Sequence, residues 1–298
     1  MNKTPSHPAL RPSGFQPLLG HEAKRDRLLV SDLLARWDAA GFCQVSPIQV
    51  DDARTLLGGQ SAEVANRAFQ FMDPETGKML ALLPDVTLGI ARLAAGELAE
   101  SPRPLCLSYE GQAIRVSSSP ARPARQLGQV GVEVIGVDET WPKRLIALAL
   151  TSLVDLGLRD LHLCLVLPPF AKTLTHALSL SPDLAQALDR KDEATIRALG
   201  GNEADRLIRI MRGDLESDLE LAQLRDLRDG LKSDFPHIGI RCEPFEQRGF
   251  AFQTGPSFSI FSSHHQGELG RGGLYESQGE SCFGFTLFRD ALLSAAPI

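Results

Sequence analysis

Arg125-Gln-Leu-Gly-Gln-Val-Gly-Val-Glu-Val-Ile-Gly136 alternates in a way that predicts a strand with two different faces. A period of two places Val130, Val132 and Val134 on one face and Gln129, Gly131 and Glu133 on the other. One face reads as core and the other as a polar trench. Gly131 lies between the amide and the carboxylate, and a glycine inside a strand marks a place where something can approach the backbone closely. Gln129 brings two donors and an acceptor, and ionised Glu133 brings acceptors only, so the trench suits a small ligand bearing an ammonium group. A solvated sheet face with an incidental glycine fits the same spacing.

Upstream, Leu29, Leu33 and Trp37, with Val30 and Leu34 beside them, predict an amphipathic helix over 21–40, stopped by Gly41. A strand over 42–50 follows, and its Pro47 belongs at an edge, a bulge or a strand end. Residues 67–72 and 78–83 flank Asp73-Pro-Glu-Thr-Gly77, which predicts a hairpin. Pro84-Asp85-Val86-Thr87 opens a helix. Residues 105–109 and 112–116 read as a second hairpin about Glu110-Gly111, and the loop over 117–124 is dense in serine and proline. Downstream come a helix over 143–156, a strand over 161–167 ended by Pro168-Pro169, and a charged helical insertion over 171–235. Its helices are expected over 183–190, 192–199, 203–212 and 215–232. Strand character returns over 237–243 and 250–262, and 283–293 reads as a closing helix. Hairpins separated by helices predict an α+β fold, an antiparallel sheet flanked by helices, in a single domain spanning 1–298.

The 298 residues are 43% hydrophobic with a net charge of -6. That acidic balance argues against phosphate-backbone partners, so no nucleic acid is expected. Cys43, Cys106, Cys164, Cys242 and Cys282 are scattered without a C-x-x-C pair, which predicts reduced thiols, no metal site and a cytoplasmic setting. Residues 1–20 have no apolar core of the signal-peptide kind. The most apolar run, 145–170, is broken by Asp155, Gly157, Arg159 and Asp160, so no membrane span is expected. No glycine-rich phosphate loop occurs.

Taken in order, these segments resemble the catalytic core of the histidyl-tRNA synthetase family, a class II synthetase. The first helix and the strand through Pro47 are similar to the dimer-forming first motif. Leu83-Pro-Asp-Val-Thr87 is similar to the family's L-R-P-E/D-x-T segment, and Ile114-Arg115 with Gln129–Glu133 to its second motif. Arg248-Gly249 through Thr254-Gly255 resembles the histidine motif, Gly272-Gly-Leu-Tyr-Glu276 resembles G-G-R-Y-D, and Gly284-Phe-Thr-Leu287 resembles the start of the third motif. The resemblance implies a histidine pocket made of Asp85, Thr87, Arg115, Gln129, Glu133, Arg248 and Tyr275, with the histidine motif's second tyrosine replaced by Gln253. In that pocket Asp85 would pair with an α-ammonium, Arg248 with a carboxylate and Glu133 with an imidazole N–H.

The departures touch the ATP machinery. The third motif's glycine falls at Phe288 and its phosphate-binding arginine at Ala291. In the second motif Arg115 is kept but the following glutamate is Ser117, and the L-R-P arginine is Leu83. Polyphosphate needs positive partners, unless Arg289 takes over by a small shift in register. The family's anticodon-binding domain has no counterpart up to Ile298. The truncated core is similar to the regulatory subunits of short-form ATP phosphoribosyltransferase. That likeness implies a non-catalytic chain with no cofactor, which dimerises and joins a short-form catalytic subunit in a hetero-octamer with L-histidine as effector. Two alternatives stay open: an ATP-dependent aminoacyl-adenylate former or ligase, and a plain histidine-binding or scaffold protein.

Overall fold

Leu29, Val30, Leu33, Leu34 and Trp37 are all buried on one face of α1 (Gly20–Ala39), as their three- and four-residue spacing requires. Gly41, at φ +91, then turns the chain out of the helix, where a side chain would be strained. The computed structural model describes residues 12–58, 62–117, 123–177, 181–216, 218–246 and 252–296. The chain divides into two compact units. The first comprises Met1–Ser101, Leu107–Gly131 and Phe288–Leu293; the second comprises Pro102–Cys106, Val132–Leu287 and Ser294–Ile298.

In the first unit, the strand expected over 42–50 is two strands, β1 (Cys43–Val45) and β2 (Val50–Asp52), belonging to different sheets. Pro47 lies in the break, where it has no ladder hydrogen to donate, and a Cβ on Gly89 would stand 2.8 Å from its ring. After α2 (Ala53–Leu57) and α3 (Ala62–Ala65), β3 (Gln70–Met72) and β4 (Met79–Leu82) form the expected hairpin. The small sheet runs β2-β4-β3 over a core of Ala53, Leu56, Leu57, Ala68, Ala81 and Leu83. Asp85 caps α4 (Val86–Ala95) by accepting the Thr87 N–H at 3.2 Å.

The second expected hairpin is a correction. β5 (Leu105–Ile114) is one continuous strand. Leu107, Tyr109, Gly111 and Ala113 are buried at every second position straight through Glu110-Gly111. Gly111 serves close packing instead of a turn, because a Cβ there would meet Val86 at 3.0 Å. Next comes β6 (Gln126–Ile135), and in this unit the strand order is β1-β5-β6, with β1 parallel to β5. The loop over 117–124 lies partly outside the described residues.

The second unit opens with α5 (Trp141–Asp155) and β7 (Leu161–Val166). Five helices follow: α6 (Pro168–Ala177), α7 (Pro182–Arg190), α8 (Glu193–Leu199), α9 (Ala204–Met211) and α10 (Ala222–Asp234). The long helix expected over 215–232 is a single 3-10 turn, Leu219–Leu221, and then α10. β8 (Gly239–Cys242), β9 (Gln253–Ser262), β10 (His265–Ser277) and β11 (Glu280–Phe288) complete a sheet that runs β6-β11-β10-β9-β7-β8 in this unit. β9, β10 and β11 are antiparallel, whereas β7 and β8 are parallel. The fold is therefore α+β with a mixed sheet, antiparallel at its centre.

The closing helix expected over 283–293 is mostly strand. β11 is followed by α11 (Arg289–Ala295). Every residue from Cys282 to Phe288 is buried, so the run carries the continuous apolar pattern of a central strand. β10 had no strand expectation, because Gly270, Gly272 and Gly273 weaken its signal. They are needed for close approach: a Cβ on Gly272 would stand 2.2 Å from the Gly284 carbonyl and 2.8 Å from the Phe258 ring.

Candidate functional site

The polar trench of β6 is not a solvated face. Gln129 is 0% exposed and Glu133 2% exposed, so each group needs internal partners. In the first unit, Gln129 Oε1 accepts the Val86 N–H at 2.8 Å, and its Nε2 donates to Asp85 Oδ2 at 3.4 Å. Arg115 Nη2 donates to the same carboxylate oxygen at 3.1 Å, and Arg115 Nε donates to the Pro84 carbonyl at 2.8 Å. Asp85 thus caps α4 with one oxygen and gathers the Arg115 guanidinium and the Gln129 amide with the other. Thr87 sits in the first turn of α4 and supplies the capped N–H. Four of the seven expected site residues are together here, as an anion held by a cation, an amide and a helix N-terminus.

In the second unit, the Tyr275 hydroxyl donates to Glu133 Oε2 at 2.9 Å. Glu133 lies flat over β11 because residue 284 is glycine; a Cβ there would come within 1.8 Å of Oε2 and 2.2 Å of Cδ. Tyr275 is the cross-strand partner of Cys282 on one side and Gln253 on the other. The Phe252 ring meets Tyr275 edge-on at 6.0 Å. Burial, together with the neighbouring Glu133 carboxylate, pushes the Cys282 thiol up to about 12. Arg248, the remaining expected site residue, lies outside the described residues.

Arg289 is the residue whose role sequence reasoning left open. Its Nε donates to Asp26 Oδ1 at 2.9 Å, its Nη2 also contacts Asp26, and its Nη1 donates to Glu110 at 2.9 Å. Burial opposes the charge, but the hydrogen bond and charge of Asp26, joined by Glu110, outweigh it and hold the guanidinium above its usual range. The side chain runs under Gly128, where a Cβ would stand 2.9 Å from Arg289 Cδ. The arginine that could have replaced the missing phosphate ligand is therefore committed to carboxylates, and Ala291 beside it is buried. Only Asp26 on the buried face of α1, a charge at a core position, could have signalled this in the sequence. A second unforeseen contact places the Arg125 guanidinium 5.0 Å from the ring centroids of both Phe15 and Phe69.

Among the described residues no cluster of three or more His, Cys, Asp or Glu side chains could hold a metal ion. No helix among them is long and apolar enough to cross a membrane.

The histidyl-tRNA synthetase family model matches residues 14–292. An ATP phosphoribosyltransferase regulatory subunit from Rhodospirillum centenum is 36% identical over 312 aligned positions, covering 97% of this chain and 81% of that protein. One of the same name from Rhodospirillum rubrum is 35% identical, covering 96% and 81%. Among solved structures, an ATP phosphoribosyltransferase regulatory subunit/histidyl-tRNA synthetase from Bacillus halodurans C superposes with a TM-score of 0.82 at 21% identity, covering all of this chain and 85% of that one. A chain from the ATP phosphoribosyl transferase complex of Thermotoga maritima gives a TM-score of 0.69 at 16% identity, covering 89% and 97%. At such identities the likeness is one of fold.

Proposed function

This chain belongs to the histidyl-tRNA synthetase-like family of ATP phosphoribosyltransferase regulatory subunits, and we propose that it activates a short-form catalytic subunit and conveys feedback inhibition by histidine. It is a regulatory subunit, and the transferase chemistry resides in its partner. The observation that carries this reading is the 36% identity over 97% of the chain to a protein of that name. The site adds physical support. Arg289, the nearest cation to the missing phosphate arginine, is held by Asp26 and Glu110, while the acidic and amide groups suited to an amino acid remain.

In the working complex the chain dimerises and joins catalytic subunits as a hetero-octamer in the cytoplasm, without nucleic acid or membrane partners. The helical run over 171–235 is an insertion in one synthetase-like core. L-Histidine contacts Asp85, Thr87, Arg115, Gln129, Glu133, Arg248 and Tyr275. Feedback requires histidine to bind two states of the assembly unequally, by about 1–3 kcal/mol.

The test is to titrate the purified chain into a short-form catalytic subunit and follow phosphoribosyl-ATP formation with and without histidine. A rise in rate that histidine reverses is expected. An unchanged rate that histidine does not affect would overturn the reading. Histidine-dependent exchange of pyrophosphate into ATP would favour an adenylate-forming enzyme instead.

A further inference from the structure

In the second unit a cavity of about 200 Å³ lies where the ends of α7 and α9 meet the segment that follows β8. Part of its lining is apolar. Leu188 and Met211 are buried, and the half-buried Phe245 packs its ring 5.8 Å from that of Phe170. The charged part is lopsided, with the carboxylates of Asp189, Glu243 and Glu246 set against a single ammonium, that of Lys191. Both helices run out at the cavity, and a helix C-terminus carries partial negative charge. Lys191 Nζ donates to Glu243 Oε1 at 2.7 Å. Its backbone is left-handed, at φ 57, in the position after α7 where glycine or asparagine is the usual residue. The negative excess is felt nearby: burial first, then Glu243 and Glu246, push the Cys164 thiol up to about 12, and Lys191 opposes them with a smaller effect.

We propose that this cavity binds a guanidinium or ammonium group carried on a short apolar stem. The carboxylates and helix ends receive the charge, while Leu188, Met211 and Phe245 receive the stem, and the Phe245 ring adds its own attraction for a cation. The space is smaller than the roughly 300–1,000 Å³ of sites for drug-sized ligands and suits one such group. Lys191 already displays the chemistry, as an ammonium on an aliphatic stem seated on Glu243, and the ligand competes with it there. Two sources can supply the group: a free amine or guanidine, and a lysine or arginine side chain of the catalytic partner. Glu246 stands two residues before Arg248, so a cation held here fastens the segment leading to that residue to the end of α7. The assignment does not depend on histidine binding.

The test is titration calorimetry of the full chain at low salt, with butylguanidinium chloride as the probe and pentanoate, the same stem with the opposite charge, as the control. Saturable binding of butylguanidinium and none of pentanoate is expected. Glu243→Gln and Glu246→Gln should each weaken it about fivefold or more, and Lys191→Met should tighten it by a similar factor because Glu243 loses its resident cation. Asp205→Asn, which removes an exposed carboxylate outside the lining, should leave affinity within about twofold of the parent. If Glu243→Gln fails to fold for want of its ion pair, Glu246→Gln and Lys191→Met still decide the outcome. Repeating the titration on the chain assembled with a short-form catalytic subunit separates the sources. A site for a free cation still takes the probe, whereas a site filled by the partner excludes it, and Glu243→Gln then weakens assembly. A parent that binds no butylguanidinium, or binds pentanoate equally, overturns the assignment, as does an Asp205→Asn variant impaired as much as the two glutamine variants. A complex insensitive to histidine would overturn the effector reading and leave this assignment standing.

Discussion

Replacing Gly284 with alanine tests whether Glu133 is seated by the glycine beneath it. The added carbon would fall 1.8 Å from Oε2, 2.2 Å from Cδ and 2.7 Å from Oε1, so every atom of the carboxylate group is displaced. The backbone cannot retreat, because β11 is laddered to β10 through Gly273↔Gly284 and lies between β6 and β10 in its sheet. Glu133 must swing away and surrender the Tyr275 hydroxyl, a hydrogen bond to a charged group worth about 1.5–3 kcal/mol. Overpacking adds about 1–3 kcal/mol. Together they predict a loss of about 3–5 kcal/mol in urea unfolding. The decisive measurement is the cycle of Gly284→Ala, Glu133→Ala and the double variant. With the carboxylate gone, alanine at 284 should cost less than about 1 kcal/mol, giving a coupling of about 2 kcal/mol or more. A double variant additive within about 0.5 kcal/mol would refute the contact.

Three further outcomes are expected. Arg289→Met strands Asp26, which is 6% exposed, and should cost about 3–5 kcal/mol in urea unfolding, with Asp26→Leu in the same chain restoring much of it; an undiminished single variant would show the pair to be dispensable. Burial pushes the thiols of Cys164 and Cys242 up to about 12 and about 11, and Cys282 to about 12. Iodoacetamide at pH 8 should therefore label exposed Cys43 first, and comparable rates at all four in the native protein, read by mass spectrometry, would contradict the burial. The hydrogen bond from Arg103 holds the Glu280 carboxyl below its usual range. A carboxyl with a lowered folded value stabilises above its unfolded value and loses that contribution as pH falls. Glu280→Gln should thus be less stable than the parent at pH 7, with the gap closing as pH drops below about 4.5; a gap that persisted or grew in acid would rule this out.

Much of the secondary structure was legible because its causes are local. The period of Leu29, Leu33 and Trp37, the Asp85 cap and the turn at Asp73–Gly77 each act within a few residues. Errors arose where a local signal met a non-local demand. Glu110-Gly111 has turn chemistry, but the packing of Gly111 against Val86 and the unbroken burial of Leu107, Tyr109 and Ala113 keep β5 straight. Phe283 to Leu293 has helix-like spacing, but the sheet takes its first part as a strand buried on both faces. Of the candidate site, motif order singled out which residues to look at, and the structure brings Asp85, Thr87, Arg115 and Gln129 together and pairs Tyr275 with Glu133. Their state was not readable, since the trench residues Gln129 and Glu133 proved to be buried and hydrogen-bonded to protein groups.

The amino-acid sequence by itself determined α1, the β3–β4 hairpin and the cap of α4, the order of motifs by which the chain resembles its family, and the alanine at 291 where that resemblance implies a phosphate-binding arginine. These are written in residue type and spacing along the chain. Tertiary structure alone decided what the remaining groups do. Tyr275 meets Glu133 across 142 residues, and Arg289 meets Asp26 across 263. Such outcomes depend on which strands lie side by side and which face each side chain takes, and the long-range packing of the sheet sets both.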